Sequence, residues 1–252
     1  MDFGLKGKVA LVTGGARDVG AEISRTLAAE GATVAINYRG SSDQAESLVQ
    51  EILASGGRAK AYAADVTDYE AVRAMVGQVV ADHGALHILV NNAGLAIQER
   101  FVNSNPEQWR QQTDVCHYGI INACHAVAQV MIDQADGRIV NIVGDSARVG
   151  EANIPIKAAT GGSAIALTKS VAKELGRFNV RANAVAFGML ETAHADKAWL
   201  EANRAKIERQ YPLRRMGFPK DVAPTVVFLA SDATAWVTGQ VVSVSGGYSM
   251  AD

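Results

Sequence analysis

Residues that could do chemistry gather in two stretches of this chain. "TGGARDVG", residues 13–20, follows the apolar run "KVALV" and opens a helical pattern. That is the arrangement of a turn that lays backbone N–H groups against a diphosphate. Gly14 and Gly20 suit such a turn, whereas Asp18 puts a carboxylate in its middle. At about 4 Å and an effective dielectric near 20, each like-charge contact with a diphosphate costs about 4 kcal/mol before screening. The alternative is an Asp18 that caps the helix and points away, which Asp does well. The second stretch, "GDSARVGEANIPIKAATGG" at 144–162, supplies Asp145, Ser146 and Lys157, with Cys116 upstream. Lys157 is an acid/base or a nucleophile if burial lowers its pKa, and otherwise a solvated or ion-paired lysine near a helix start.

Cys116 and Cys124 are the only cysteines. Lying eight residues apart in one helical pattern, they suggest neither a disulfide framework nor a metal knuckle, and are read as reduced thiols. His117 and His125 follow them, about 80° apart around a helix of 3.6 residues per turn. No carboxylate stands at i+3 or i+4 to complete a chelating set, so no metal is expected.

The elements that must position these groups alternate. Short β-branched runs ("KVALVTG", "ATVAINY", "RAKAYAADV", "HILVNNAG", "GRIVNIVG", "VRANAVAFG", "GQVVSVSGG") are separated by helical patterns at 20–30, 43–55, 68–83, 107–134, 154–177, 195–209 and 219–231. This predicts an α/β fold: a Rossmann-like, doubly wound, seven-stranded parallel sheet with helices on both faces. With 252 residues, 48% hydrophobic and 20% charged, and no linker composition, one domain over 1–252 is expected. A net charge of −2 without runs of like charge argues against nucleic acid or a membrane surface as partner. The start lacks the apolar core of a signal peptide and no 18 apolar residues occur together, so a soluble, cytoplasmic protein is expected.

Over nearly its whole length, Lys8 to Gly247, the sequence resembles the short-chain dehydrogenase/reductase family. The matching pieces are Thr13, Gly14 and Gly20 of the glycine loop, Asp65 after the third strand, and "NNAG" at 91–94, which begins with Asn91. Further on come Asn183, Gly188 and Thr192, "PLRRMGFP" at 212–219 and "VTGQVVSVSGG" near the end. The resemblance implies hydride transfer between a nicotinamide cofactor and a carbonyl or alcohol. Its general acid/base is a Tyr, assisted by a Lys, a Ser and an upstream Asn.

The places of those four residues hold Lys157, Gly161, Gly144 and Cys116. A check free of alignment agrees: Tyr38, Tyr62, Tyr69, Tyr118, Tyr211 and Tyr248 are followed four residues on by Ser42, Val66, Arg73, Asn122, Arg215 and Asp252, never by Lys. Ser146, two residues past Gly144, is a candidate to turn inward in place of the missing serine hydroxyl. Asp18 stands where the family has a Gly, and Phe187 where it has a Pro, either filling the nicotinamide space or packing in the core. Arg39, after the second strand, would favour a 2′-phosphate in a working enzyme.

These departures give the expectation of a catalytically inactive member with no catalytic residues, binding no cofactor itself. Gly14, Asp18, Gly20, Asp65, Asn91 and Phe187 are then vestigial. Such a chain would assemble with an active, NAD-dependent homologous subunit, as a hetero-oligomer and dimer of dimers. The pattern of losses resembles the degenerate subunit of heteromeric dehydrogenases of this family, such as the 2-(α-hydroxybenzyl)succinyl-CoA dehydrogenase of anaerobic toluene degradation. Two alternatives stand beside it: a lyase or isomerase using Lys157 with Asp145, Ser146 or Cys116, and a small-molecule sensor without turnover.

Overall fold

The β-branched runs become seven strands: β1 (Val9–Val12), β2 (Thr33–Tyr38), β3 (Arg58–Ala63), β4 (Ile88–Asn91), β5 (Gly137–Gly144), β6 (Val180–Phe187) and β7 (Val241–Val244). In this computed structural model, which describes residues 2–250, they form one sheet in the order β3-β2-β1-β4-β5-β6-β7, every pairing parallel. Met1, Ala251 and Asp252, the outermost residues of the expected 1–252 domain, lie outside the described residues.

Among the described residues, nine helices connect the strands: α1 (Asp18–Ala29), α2 (Ser42–Ala54), α3 (Tyr69–His83), α4 (Pro106–Thr113), α5 (Gly119–Gln134), α6 (Ser146–Val149), α7 (Pro155–Leu175), α8 (Lys197–Glu208) and α9 (Pro219–Ala230). Side chains of a strand alternate between faces, so β1 serves two cores. Ala10 and Val12 pack under α1, α2 and α9 with Ile23, Leu27, Ile52 and Val226. Val9 and Leu11 pack under α3, α5 and α7 with Val76, Val127, Met131 and Ala164. Fully burying one such aliphatic side chain contributes roughly 1.5–3 kcal/mol, so the sheet is fixed from both sides. The chain passes from one half of the sheet to the other between β1 and β4, and the crevice beyond their C-terminal ends is where a doubly wound sheet takes a ligand.

Two local features differ from expectation. The helical pattern over 107–134 is broken: α4, capped by Asn105, which accepts from the N–H groups of Glu107 and Gln108 at 3.1 Å, leads into a π-helical turn at Asp114–Tyr118 before α5. Periodicity cannot reveal one inserted residue, and π turns of this kind occur often at functional sites. The short α6 was also not expected. The stretch Pro106–Gln134, whose most apolar 18-residue window has a mean hydropathy of 1.3, is the one helical run among the described residues long and apolar enough to cross a bilayer. Its Ile120, Ala123, Val127 and Met131 are buried against the sheet and α3, so its apolarity belongs to the core.

Candidate active site

Sequence dictates the β1–α1 turn through two glycines. Gly14 has φ +58°, and a Cβ there would come within 3.0 Å of Ala93 Cα. A Cβ on Gly20 would run into the Gly14 carbonyl and Asn92 Nδ2. Close approach of α1 to the β4 loop is therefore built in, and polar groups lock it. The Thr13 hydroxyl accepts from the N–H groups of Asn92 and Ala93 at 3.0 and 3.1 Å, while Asn92 Nδ2 donates to the carbonyls of Thr13 and Gly14. No side chain caps the first turn of α1, which leaves its N–H groups open to an anion. The cradle fits a dinucleotide diphosphate.

Asp18 neither caps α1 nor lies bare beside the turn. It is the first helical residue, at φ +48°, and both carboxylate oxygens lie 3.0 Å from Nδ1 of His194 on the β6–α8 loop. The repulsion expected from Asp18 assumed an unpaired carboxylate. His194 supplies a partner that the sequence did not announce.

The catalytic places come together at the C-terminal end of β5 and the start of α7. Lys157 Nζ lies 3.4 Å from Cys116 Sγ and 3.2 Å from where a Cβ on Gly94 would sit, so its amine stands over the β4 loop at the crevice. It is half-buried and makes no ion pair among the described residues. The π-helical turn presents Cys116, whose Sγ also accepts from Leu95 N and donates to Leu95 O, each at 3.2 Å. A Cβ on Gly144 would lie 3.2 Å from Ser146 Oγ, so α6 returns a hydroxyl to the space a serine at 144 would use. Gly161 is buried, and a Cβ there would lie 2.7 Å from Ala147 Cβ, leaving no passage for a side chain.

The remaining candidates are structural or flank the crevice. Burial pushes the Asp65 carboxyl up, but bonds from the Thr67 N–H and hydroxyl, at 2.9 and 2.8 Å, and Arg39 at 3.5 Å leave it below the usual range. Asn91 Nδ2 donates to Asn141 Oδ1 at 2.8 Å, and its Oδ1 is a buried acceptor without a partner among the described residues. Phe187 is partly buried and packs against the α1–α9 core. Asp145 is buried, with Oδ1 accepting from Ser243 Oγ at 2.7 Å, and beside it Tyr211 stacks on Tyr248 at 5.3 Å. Burial raises both phenols above their ordinary range. His117 and His125 are separate, bonded to Ser163 Oγ and Tyr69 Oη, and no three metal-ligating side chains gather among the described residues. Reasoning from sequence missed His194 and the π-helical turn.

Comparison with known proteins gives these places a family context. The family model described as enoyl-(acyl carrier protein) reductase matches residues 14–249. The chain is 39% identical over 246 residues to the 3-oxoacyl-[acyl-carrier-protein] reductase FabG of Staphylococcus aureus, covering 96% of this chain and 98% of that one. It is 36% identical over 247 residues to a 3-oxoacyl-[acyl-carrier-protein] reductase of Synechocystis, covering 98% of each. A solved chain assigned as a short-chain alcohol dehydrogenase of Sinorhizobium meliloti superposes with a TM-score of 0.94 at 31% identity, covering 100% of both. These full-length reductases overturn the expectation of a non-catalytic chain. They also overturn the expectation that it binds no nicotinamide cofactor, and the physical ground for that expectation is gone because Asp18 is paired. The chain belongs to the short-chain dehydrogenase/reductase family.

Proposed function

We propose that this protein is a nicotinamide-dependent reductase of 3-oxoacyl thioesters or related ketones in which the proton is delivered from Lys157. The observation that carries the reading is the position of Lys157 Nζ, at the crevice beside Gly94 and Cys116. An ordinary ammonium and an ordinary phenol both titrate near about 10, so as proton donors to an alkoxide they are closely matched. The ammonium also carries its own positive charge. One lysine thus combines the proton of the family's tyrosine with the cation of its lysine, in a chain where Gly161 has no room for a second cation.

The bound cofactor would supply hydride to the carbonyl carbon. Gly14, Gly20 and the open first turn of α1 would hold its diphosphate, with Asp65 and Asn91 near its adenosine half. Tyr38 ends β2 and Arg39 follows it without a carboxylate, and the exposed Arg39 suits a 2′-phosphate. Ser146 Oγ, which makes no hydrogen bond among the described residues, orients the substrate oxygen. Lys157 Nζ gives that oxygen its proton as negative charge develops, and Cys116 holds the amine in place.

Assembly with further subunits of this fold is part of the proposal. Trp236 is 100% exposed and Phe228 41% exposed, an apolar surface of the kind an interface covers. A cytoplasmic location goes with it, Cys116 and Cys124 being free thiols. The test is to mix purified protein with acetoacetyl thioester and NADPH or NADH and follow loss of reduced cofactor by absorbance. Turnover that disappears in Lys157→Met supports the reading. No turnover with any ketone of a broad panel, or full turnover in Lys157→Met, rejects it.

A further inference from the structure

Asp18 occupies the place in the β1–α1 turn where a side chain is least welcome, at φ +48°. Its partner sits on a different part of the fold. His194 Nδ1 lies 3.0 Å from both Asp18 oxygens, and Nε2 of the same ring lies 3.5 Å from Gln44 Nε2 on α2. One imidazole therefore ties together the glycine turn, α2 and the β6–α8 loop. The loop is anchored at its base, where Met189 N donates to Tyr211 Oη at 2.7 Å and Glu191 N to the Gly217 carbonyl at 2.8 Å. His194 is its contact further out, across a cavity of about 500 Å³ that Arg17, Asp18, Gln44 and Thr192 help to line.

Resting on the cofactor reading above, we infer that His194 is a positioning residue for the dinucleotide. It draws the Asp18 carboxylate out of the diphosphate's path, takes up its oxygens, and pins the β6–α8 loop across the mouth of the crevice. Other charged groups face the same cavity. On α1 and α2, Arg25 is taken up by Glu51 at 2.7 Å and Glu22 at 3.5 Å, and Asp43 accepts from Ser42 Oγ. On the loop itself Glu191 pairs with Arg204 at 3.0 Å, and in the β1–α1 turn Arg17 makes no ion pair among the described residues. Without the imidazole, Asp18 is left as an unpaired negative charge beside the diphosphate site, and cofactor binding weakens.

The test is calorimetric titration of NADPH and NADH into the whole protein. His194→Ala should bind at least about tenfold more weakly than wild type, which is about 1.4 kcal/mol. Asp18→Gly should bind tightly, and Asp18→Gly/His194→Ala should match Asp18→Gly. Without cofactor, amide hydrogen exchange over residues 189–196 should quicken in His194→Ala and in Asp18→Gly alike. Wild-type affinity in His194→Ala, or a further loss when His194→Ala is added to Asp18→Gly, overturns the inference and leaves the cofactor reading standing. Absence of binding in wild type and Asp18→Gly together overturns both.

Discussion

Ala147 closes the space over Gly161: a Cβ on Gly161 would lie 2.7 Å from the Ala147 Cβ and 3.7 Å from that of Val143. Helices α6 and α7 meet through this gap, so the two residues are one packing decision. Restoring the family's lysine there is therefore an overpacking mutation and not a repair. Gly161→Lys should cost about 1–3 kcal/mol, lowering Tm by about 2–4 °C per kcal/mol. Thermal unfolding followed by circular dichroism checks it. An unchanged or higher Tm would show that α6 yields freely.

Lys157 should separate binding from chemistry. Lys157→Met removes the proton donor without touching the glycine turn, so kcat should fall at least about 100-fold. The dinucleotide Kd should stay within about threefold, less than the 1.4 kcal/mol of a tenfold change. Lys157→Arg keeps a cation but its guanidinium does not give up a proton, so it should be as slow as Lys157→Met. An Arg variant with near wild-type turnover would mean that charge alone suffices at this position.

Much of the architecture was legible because it rests on local patterns. The seven runs became the seven strands; the central ones, such as β1, β4 and β5, are mostly apolar because they are buried on both faces, while the edge strand β3 exposes Arg58 and Lys60. Gly14 and Gly20 marked the turn because only glycine fits there. What stayed hidden was of two kinds. The π-helical turn at Asp114–Tyr118 leaves the helical apolar pattern nearly unchanged, yet decides where Cys116 points. The His194 partner of Asp18 lies 176 residues along the chain, joined only through tertiary structure. Judged without that partner, Asp18 read as a lost cofactor site. Judged with it, the same carboxylate holds a loop.

Cys124 offers a check on the core beneath the crevice. Burial pushes its thiol up to about 12, against a bond from Asn91 Nδ2 that acts in the opposite direction. Alkylation needs the thiolate, and burial holds Cys124 as the unreactive thiol at about pH 8. Native protein treated with iodoacetamide should stay unlabelled at Cys124, while protein in denaturant should label fully, as read by peptide mass spectrometry. Rapid labelling in the native state would mean that the Asn91–Asn141 layer opens far more often than its packing implies.

The pairing of β3 with α3 should make stability sensitive to acid. Asp82 on α3 receives bonds from Lys60 Nζ at 2.6 Å, Tyr62 Oη at 2.7 Å and Gln78 Nε2 at 2.8 Å. The Lys60 bond first, then those of Tyr62 and Gln78, hold its carboxyl down at about 2. Tyr62 moves the other way, raised by burial and by its bond to the carboxylate. In the unfolded chain an Asp titrates near about 3.9, so the folded protein prefers ionised Asp82 more than the unfolded chain does. That contribution is fully present above about pH 4 and drains away as the pH falls toward about 2. Asp82→Asn keeps the shape and removes the ion. Urea midpoints should therefore separate wild type from variant at about pH 7, and the gap should shrink as the pH approaches 2. A gap of equal size at both ends would assign the difference to side-chain shape, and the edge strand would then be held by its packing on Val79 and Val76 instead of by charge.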